Sequence, residues 1–141
     1  MLASLPAFSS FSVLDIDEAA HFYGDVLGLS TSVARGMLTL TLGSGAHVLV
    51  YPKPNHEPAT HTVLMFPTDD IAATVDWARS RGVVFEILDG VGDDGIKPAN
   101  DWGPANAWFR DPSGNWLSIV GEPAEDTNAE DTNAGDTNGG R

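Results

Sequence analysis

The spacing of apolar residues along this chain switches between two periods. Ile16, Ala19, Ala20, Tyr23 and Leu27 recur every three or four positions, as does the set Ile71, Val75 and Ala78, so each marks one face of a helix. Asp15 with Glu18 resembles a capping box; Asp69 or Asp70 caps the second helix, and Gly82 suits the position just past its end. Elsewhere the period is two. Met37 to Leu42 and His47 to Tyr51, joined by Gly43-Ser44-Gly45, read as a hairpin. Ala107 to Asp111 and Trp116 to Val120, joined by Pro112-Ser113-Gly114, read as its counterpart.

These elements repeat. Asp15-Ile16 aligns with Asp70-Ile71, which sets Phe11 on Phe66, Phe22 on Trp77 and Phe8 on Val63. The hairpin glycines Gly45 and Gly114 align in turn and place Leu49 on Ser118. The extra residues of the second copy fall mostly in Asp89 to Pro104, rich in Gly, Asp and Pro, which predicts a loop. The expectation is an α+β domain over residues 1–121, made of two tandem βαβββ modules, about 5–58 and 59–121, whose sheets curve around a pocket. Beyond it, residues 122–141 repeat E-D-T-N-A and close variants without a large apolar side chain. Such a segment has nothing to bury, so a disordered acidic tail is expected.

Alternation sorts the strand residues into two faces. Phe11, Phe66, Val48, Val50, Phe109, Leu117 and Ile119 belong to the core face. The opposite face collects Phe8, Ser10, Ser12, Thr39, Thr41, His47, Leu49, Tyr51, His61, Val63, Met65, Trp108, Arg110, Trp116 and Ser118. Trp102, in the long loop, is placed to close over the opening, while Trp77 belongs to a helix. A face of aromatics and aliphatics with a few hydroxyls, two imidazoles and one guanidinium suits a flat organic ligand. Arg110 is positioned either to grip a carboxylate or phenolate or to pair with Asp101 or Asp111.

Composition narrows the function classes. The chain has 141 residues, 42% of them apolar, enough for one domain with its own core. It has no cysteine, which excludes disulfides, thiolate nucleophiles and cysteine-bound metal. The formal charge is −13, with six acids against Arg141 from Glu122 onward, leaving −8 for residues 1–121. That sign argues against nucleic acid as a partner and favours a cationic ligand through long-range attraction. Met1 to Phe11 has no signal-peptide pattern and no later run reaches membrane-spanning length, so a cytoplasmic protein with no membrane partner is expected.

The runs D-I-D-E-A-A-H-F-Y-G-D-V-L-G-L and W-F-R-D-P-S-G-N-W-L-S-I-V resemble the vicinal oxygen chelate superfamily of glyoxalases, extradiol dioxygenases, fosfomycin-resistance enzymes and bleomycin-resistance proteins. The resemblance covers roughly residues 5 to 121. It implies paired βαβββ modules, a shared pocket and a homodimer. It also implies metal ligands at one position early in each module's first strand and one in each module's last strand. Those positions are Phe8, Leu49, Val63 and Ser118 here. Three have no donor atom, and a lone serine hydroxyl does not hold a transition metal, so neither a metal nor another cofactor is expected. His47 and His61 each stand two residues before a vacated position and offer a displaced site, with His56 or Glu57 beside it. The reading that follows is a metal-free protein of the bleomycin-resistance-like branch that binds or sequesters a small aromatic antibiotic or metabolite. The alternative is a glyoxalase-like lyase or isomerase working through a displaced metal or histidine acid–base chemistry. The ligand-binding set comprises Phe8, His47, Leu49, Tyr51, His61, Val63, Trp102, Trp108, Arg110, Trp116 and Ser118, with no catalytic residue assigned.

Overall fold

The computed structural model describes residues 1–122; the expected repeat tail, apart from Glu122, lies outside the described residues. Each module opens with a strand, β1 (Ser9–Val13) or β5 (Thr62–Pro67), and turns into a helix at an aspartate. Asp15 accepts from the backbone N–H of Glu18 at 2.9 Å, and Asp70 from that of Ala73 at 3.0 Å. Each such cap stabilises its helix by about 0.5–2 kcal/mol. Helix α2 (Ile71–Ser80) ends at Gly82, whose φ of +94° only glycine adopts without strain.

Helix α1 (Ile16–Ala20) is shorter and widens into a π-helical segment, His21–Val26, closed by the Leu27 N–H on the Phe22 carbonyl. A wider turn reduces the angle between consecutive residues. Adjacent Phe22 and Tyr23 therefore both turn inward, their rings edge to face at 5.2 Å.

The first sheet runs β1-β4-β3-β2, with β2 (Ser30–Ala34), β3 (Met37–Thr41) and β4 (His47–Pro52); β1 pairs with β4 in parallel and the others are antiparallel. The second runs β5-β7-β6, with β6 (Asn106–Arg110) and β7 (Trp116–Val120). The two modules thus follow one plan. In the second, the counterpart of β2 shrinks to one bridge between Phe85 and Phe109 before the chain enters the Gly- and Asp-rich segment.

Both sheets turn the same kind of face inward. Leu38, Leu40 and Val50 from the first and Phe109, Leu117 and Ile119 from the second join Tyr23, Val75 and Ala78 in one core, with Phe11 and Phe66 packed against it. Phe22 lies 6.3 Å from Phe109, so the π-helical segment of one module rests on the inner face of the other sheet. The opposite faces look outward. Among the described residues no helix is long and apolar enough to cross a membrane.

Candidate functional site

The turn Asp111-Pro112-Ser113-Gly114-Asn115 is a clamp between the modules. Asp111 is buried, and its Oδ1 accepts the backbone N–H groups of Ser113 and Asn115, both at 2.9 Å. Its Oδ2 accepts Tyr23 Oη–H at 2.7 Å and Asn115 Nδ2–H at 2.9 Å. Four donors satisfy a carboxylate that has no cation beside it, which is what makes its burial tolerable. Asn115 also donates to the Ser12 carbonyl at 2.9 Å, and the Leu14 N–H donates to Ser113 Oγ at 2.9 Å.

His56 closes the clamp. Its Nε2 donates to the Ser113 carbonyl at 3.1 Å, because a carbonyl only accepts, and its Nδ1 meets Ser12 Oγ at 2.6 Å. Burial, and then the Asp111 carboxylate beside it, push the Tyr23 hydroxyl well above the usual phenol range. Tyr23 therefore stays a donor across the ordinary pH range, and the D-P-S-G-N motif joins the two modules.

The outward face of the second sheet is different. Trp108 on β6 donates its indole N–H to Thr62 Oγ1 on β5 at 3.2 Å. Strand β7 lies between those two strands, and Trp108 pairs with Ser118 while Thr62 pairs with Trp116. The indole therefore crosses β7 over Ser118. That explains why Ser118 is fully buried and its hydroxyl has no hydrogen-bond partner. Asn106 Oδ1, two residues before Trp108 and on the same face, is the other buried side-chain polar atom without a partner among the described residues. Beside the indole opens a cleft of about 360 Å³, lined by Pro58, Ala59, Thr60, His61, Thr62, Leu88, Trp108 and Trp116. Arg110 sits over the Trp116 ring, its guanidinium carbon 4.0 Å from the ring centre.

The residues expected at one pocket thus separate into groups. His61, Trp108 and Trp116 share the aromatic cleft, with Arg110 on Trp116. Phe8, His47 and Val63 line a second cleft of about 250 Å³ at the seam between β1 and β5. Leu49 and Tyr51 lie on the outward face of the first sheet, paired with Ser10 and Ser12. Trp102 is 94% exposed and closes over nothing. Arg110 makes no ion pair with Asp101 or Asp111.

Five lining residues fall outside the face that alternation predicts: Thr62, then Leu88, Pro58, Ala59 and Thr60. A bulge in β5 is the reason for the first: Thr62 faces Trp116 and Leu64 faces Leu117, leaving Val63 as the extra residue. Thr62, rather than Val63, therefore stands on the Trp116 face. A bulge leaves no mark in a run of T-V-L-M-F. A separate gap of about 120 Å³ lies on the inner side among Leu27, Leu29, Phe66, Trp77 and neighbours. Among the described residues, the Thr74 hydroxyl and the Trp77 indole N–H are its only polar side-chain groups, so it offers little to orient a ligand.

The chelating metal of the fold does not fit these residues. The four positions hold phenyl, isobutyl and isopropyl side chains and a hydroxyl sealed under an indole. Among the described residues no three His, Cys, Asp or Glu side chains group to hold a metal ion. His47 and His61 line different clefts, and His47 Nδ1 lies 3.3 Å from Thr41 Oγ1.

Solved structures share this architecture. A glyoxalase family protein from Enterococcus faecalis superposes with a TM-score of 0.65 at 16% identity, covering 85% of this chain and 99% of that one. TnmS3, an antibiotic binding protein from Streptomyces sp. CB03234, gives 0.60 at 22% identity, covering 86% and 98%. The genomically encoded fosfomycin resistance protein FosX from Listeria monocytogenes gives 0.65 at 11% identity, covering 89% and 95%. At these identities the likeness is one of fold. No curated protein matches the sequence. Residues 8–119, which hold both modules, both capped helices and the Asp111 clamp, match the model of one family, and the chain belongs to the Glyoxalase/Bleomycin resistance protein/Dioxygenase superfamily.

Proposed function

We propose that this protein binds a small planar aromatic molecule, an antibiotic or metabolite, on the outward face of its second sheet, without a metal, and holds it rather than transforming it. The observation that carries this reading is the pairing of Trp108 and Trp116 in one cleft where the fold's metal position is a hydroxyl roofed by indole. Two unpartnered polar atoms on the same face, Ser118 Oγ and Asn106 Oδ1, add support, because buried groups of that kind normally find a partner. TnmS3, described as an antibiotic binding protein, is a relative in fold with that kind of role. The displaced-metal form of the lyase reading needs His47 and His61 at one centre, and they line different clefts; the acid–base form needs only one of them, and neither ring has a carboxylate partner among the described residues.

Magnitudes fit a binder. Burying roughly 300 Å² of apolar surface contributes about 7 kcal/mol. Two stacking contacts add ~1–3 kcal/mol, and association costs at least ~4 kcal/mol. The remainder, ~4–6 kcal/mol, corresponds to a dissociation constant between about 1 mM and 40 µM. Two copies assemble, covering Phe8 and Met65, which are 64% and 51% exposed on a single chain.

Tryptophan fluorescence during titration with planar aromatics tests the reading. Saturable quenching by a flat bicyclic ligand, abolished by Trp108→Ala, is the expected result. One equivalent of bound transition metal in elemental analysis, or no response across a broad aromatic set, overturns it. Sedimentation of the full chain as a monomer overturns the assembly.

A further inference from the structure

The ligand's charge follows from the neighbours of Trp116, on the reading that the aromatic cleft is the binding site. Arg110 stands directly opposite Trp116 in the β6–β7 ladder and lies over its ring. A guanidinium stacked on an indole keeps its N–H donors at the rim, free for a second partner. Among the described residues no carboxylate lies within 4.0 Å of the Arg110 guanidinium and none hydrogen-bonds to it. Its sequence neighbour Asp111 is buried on the other side of β6 and already holds four donors. Glu86 lines a neighbouring cavity together with Arg110, Asp111 and Pro112, and does not line the tryptophan cleft.

Among the described residues the cleft wall contains no Asp or Glu, in a chain that carries 20 acids. We infer that the site selects a planar aromatic anion, such as an aromatic carboxylate, whose ring meets the Trp108–Trp116 wall while its charge meets the Arg110 guanidinium. This is opposite to the sign that the net charge of −13 favours. The two effects act at different range. The acids flanking the wall, Glu57 and Asp89, are exposed to solvent and screened over about 8 Å at physiological salt. The guanidinium acts by contact, through charge-assisted and bidentate hydrogen bonds.

Three isosteric probes separate the charge from the ring: 2-naphthoate, neutral 2-naphthamide and cationic 2-naphthylmethylammonium. They are titrated calorimetrically into the full chain at neutral pH and about 0.15 M salt, and into Arg110→Gln and Trp108→Ala. Naphthoate is expected to bind at least tenfold tighter than naphthamide, about 1.4 kcal/mol, with the ammonium weakest. In Arg110→Gln the naphthoate-to-naphthamide ratio falls toward one. Equal binding of all three, a preference for the ammonium, or an unchanged ratio in Arg110→Gln overturns the charge assignment. If Trp108→Ala still abolishes that binding, the aromatic site itself stands. Binding of none of the probes, or binding indifferent to Trp108→Ala, overturns the site and the charge assignment together.

Discussion

The outward faces of the two sheets descend from one repeated pattern and differ in what they leave unsatisfied. On the first sheet, Ser10, Ser12, Thr39 and Thr41 surround Leu49, and two of these hydroxyls find partners within their own module: Ser12 meets His56, and Thr41 meets His47. On the second, Trp108, Trp116 and Arg110 surround Ser118, and the buried Ser118 and Asn106 atoms find none. The inner faces hardly differ, since both supply β-branched, leucine and aromatic side chains to one core. A duplicated module can therefore keep its packing and change its recognition by altering only every second residue of two strands.

The largest way to break this comparison is to break the clamp that holds the modules together. Asp111→Ala leaves Tyr23, Asn115 and two backbone N–H groups without their acceptor, and is expected to lower stability by about 3–5 kcal/mol in chemical denaturation. Tyr23→Phe removes one donor and costs about 1.5–3 kcal/mol. It also tests the titration. The folded Tyr23 pKa lies above its unfolded value, so its contribution is complete below about pH 10 and is lost as pH rises past that point, where only the unfolded phenol ionises. Stability measured from pH 8 to 11 should fall more steeply in the wild type than in Tyr23→Phe; parallel curves would contradict the buried donor.

Smaller changes sharpen the contrast between faces. Trp108→Ala should cost about 2 kcal/mol and abolish naphthoate binding, because it removes a half-buried wall and opens the floor over Ser118. Leu49→Ala, at the matching position of the first sheet, should cost about 1 kcal/mol and leave naphthoate affinity within twofold. Equal losses of affinity would mean that both faces contact the ligand. Thr62→Val is the mildest, under about 1 kcal/mol, and frees the indole N–H, which near-ultraviolet circular dichroism of Trp108 should register.

Much of this was legible in the residue pattern. The two capped helices, the hairpins around Gly45 and Gly114 and the inward face of Phe109, Leu117 and Ile119 follow from period, caps and turn residues alone. The aromatic site was legible only in part. Alternation put Trp108 and Trp116 on one face, but the bulge at Val63 is set by pairing between β5 and β7, which a run of apolar residues does not record. Whether an indole lies across a neighbouring strand depends on its rotamer and on a hydroxyl 46 residues away. The clamp escaped for the same reason: the turn was visible, but Tyr23 and His56 stand 88 and 57 residues from their partners in it.

Those separations govern the order in which the chain organises. Asn115 reaches Ser12 across 103 positions, and Leu14 reaches Ser113 across 99. Contacts that close so long a loop come late, after each hairpin has formed from near neighbours. Stabilising groups absent from the folding transition state act mainly on the unfolding rate. The long-range half of the clamp therefore sets how long the native protein persists rather than how quickly it forms, and in a chevron plot Tyr23→Phe, which removes the one bond to Asp111 that spans 88 positions, should raise the unfolding limb while leaving the folding limb nearly in place.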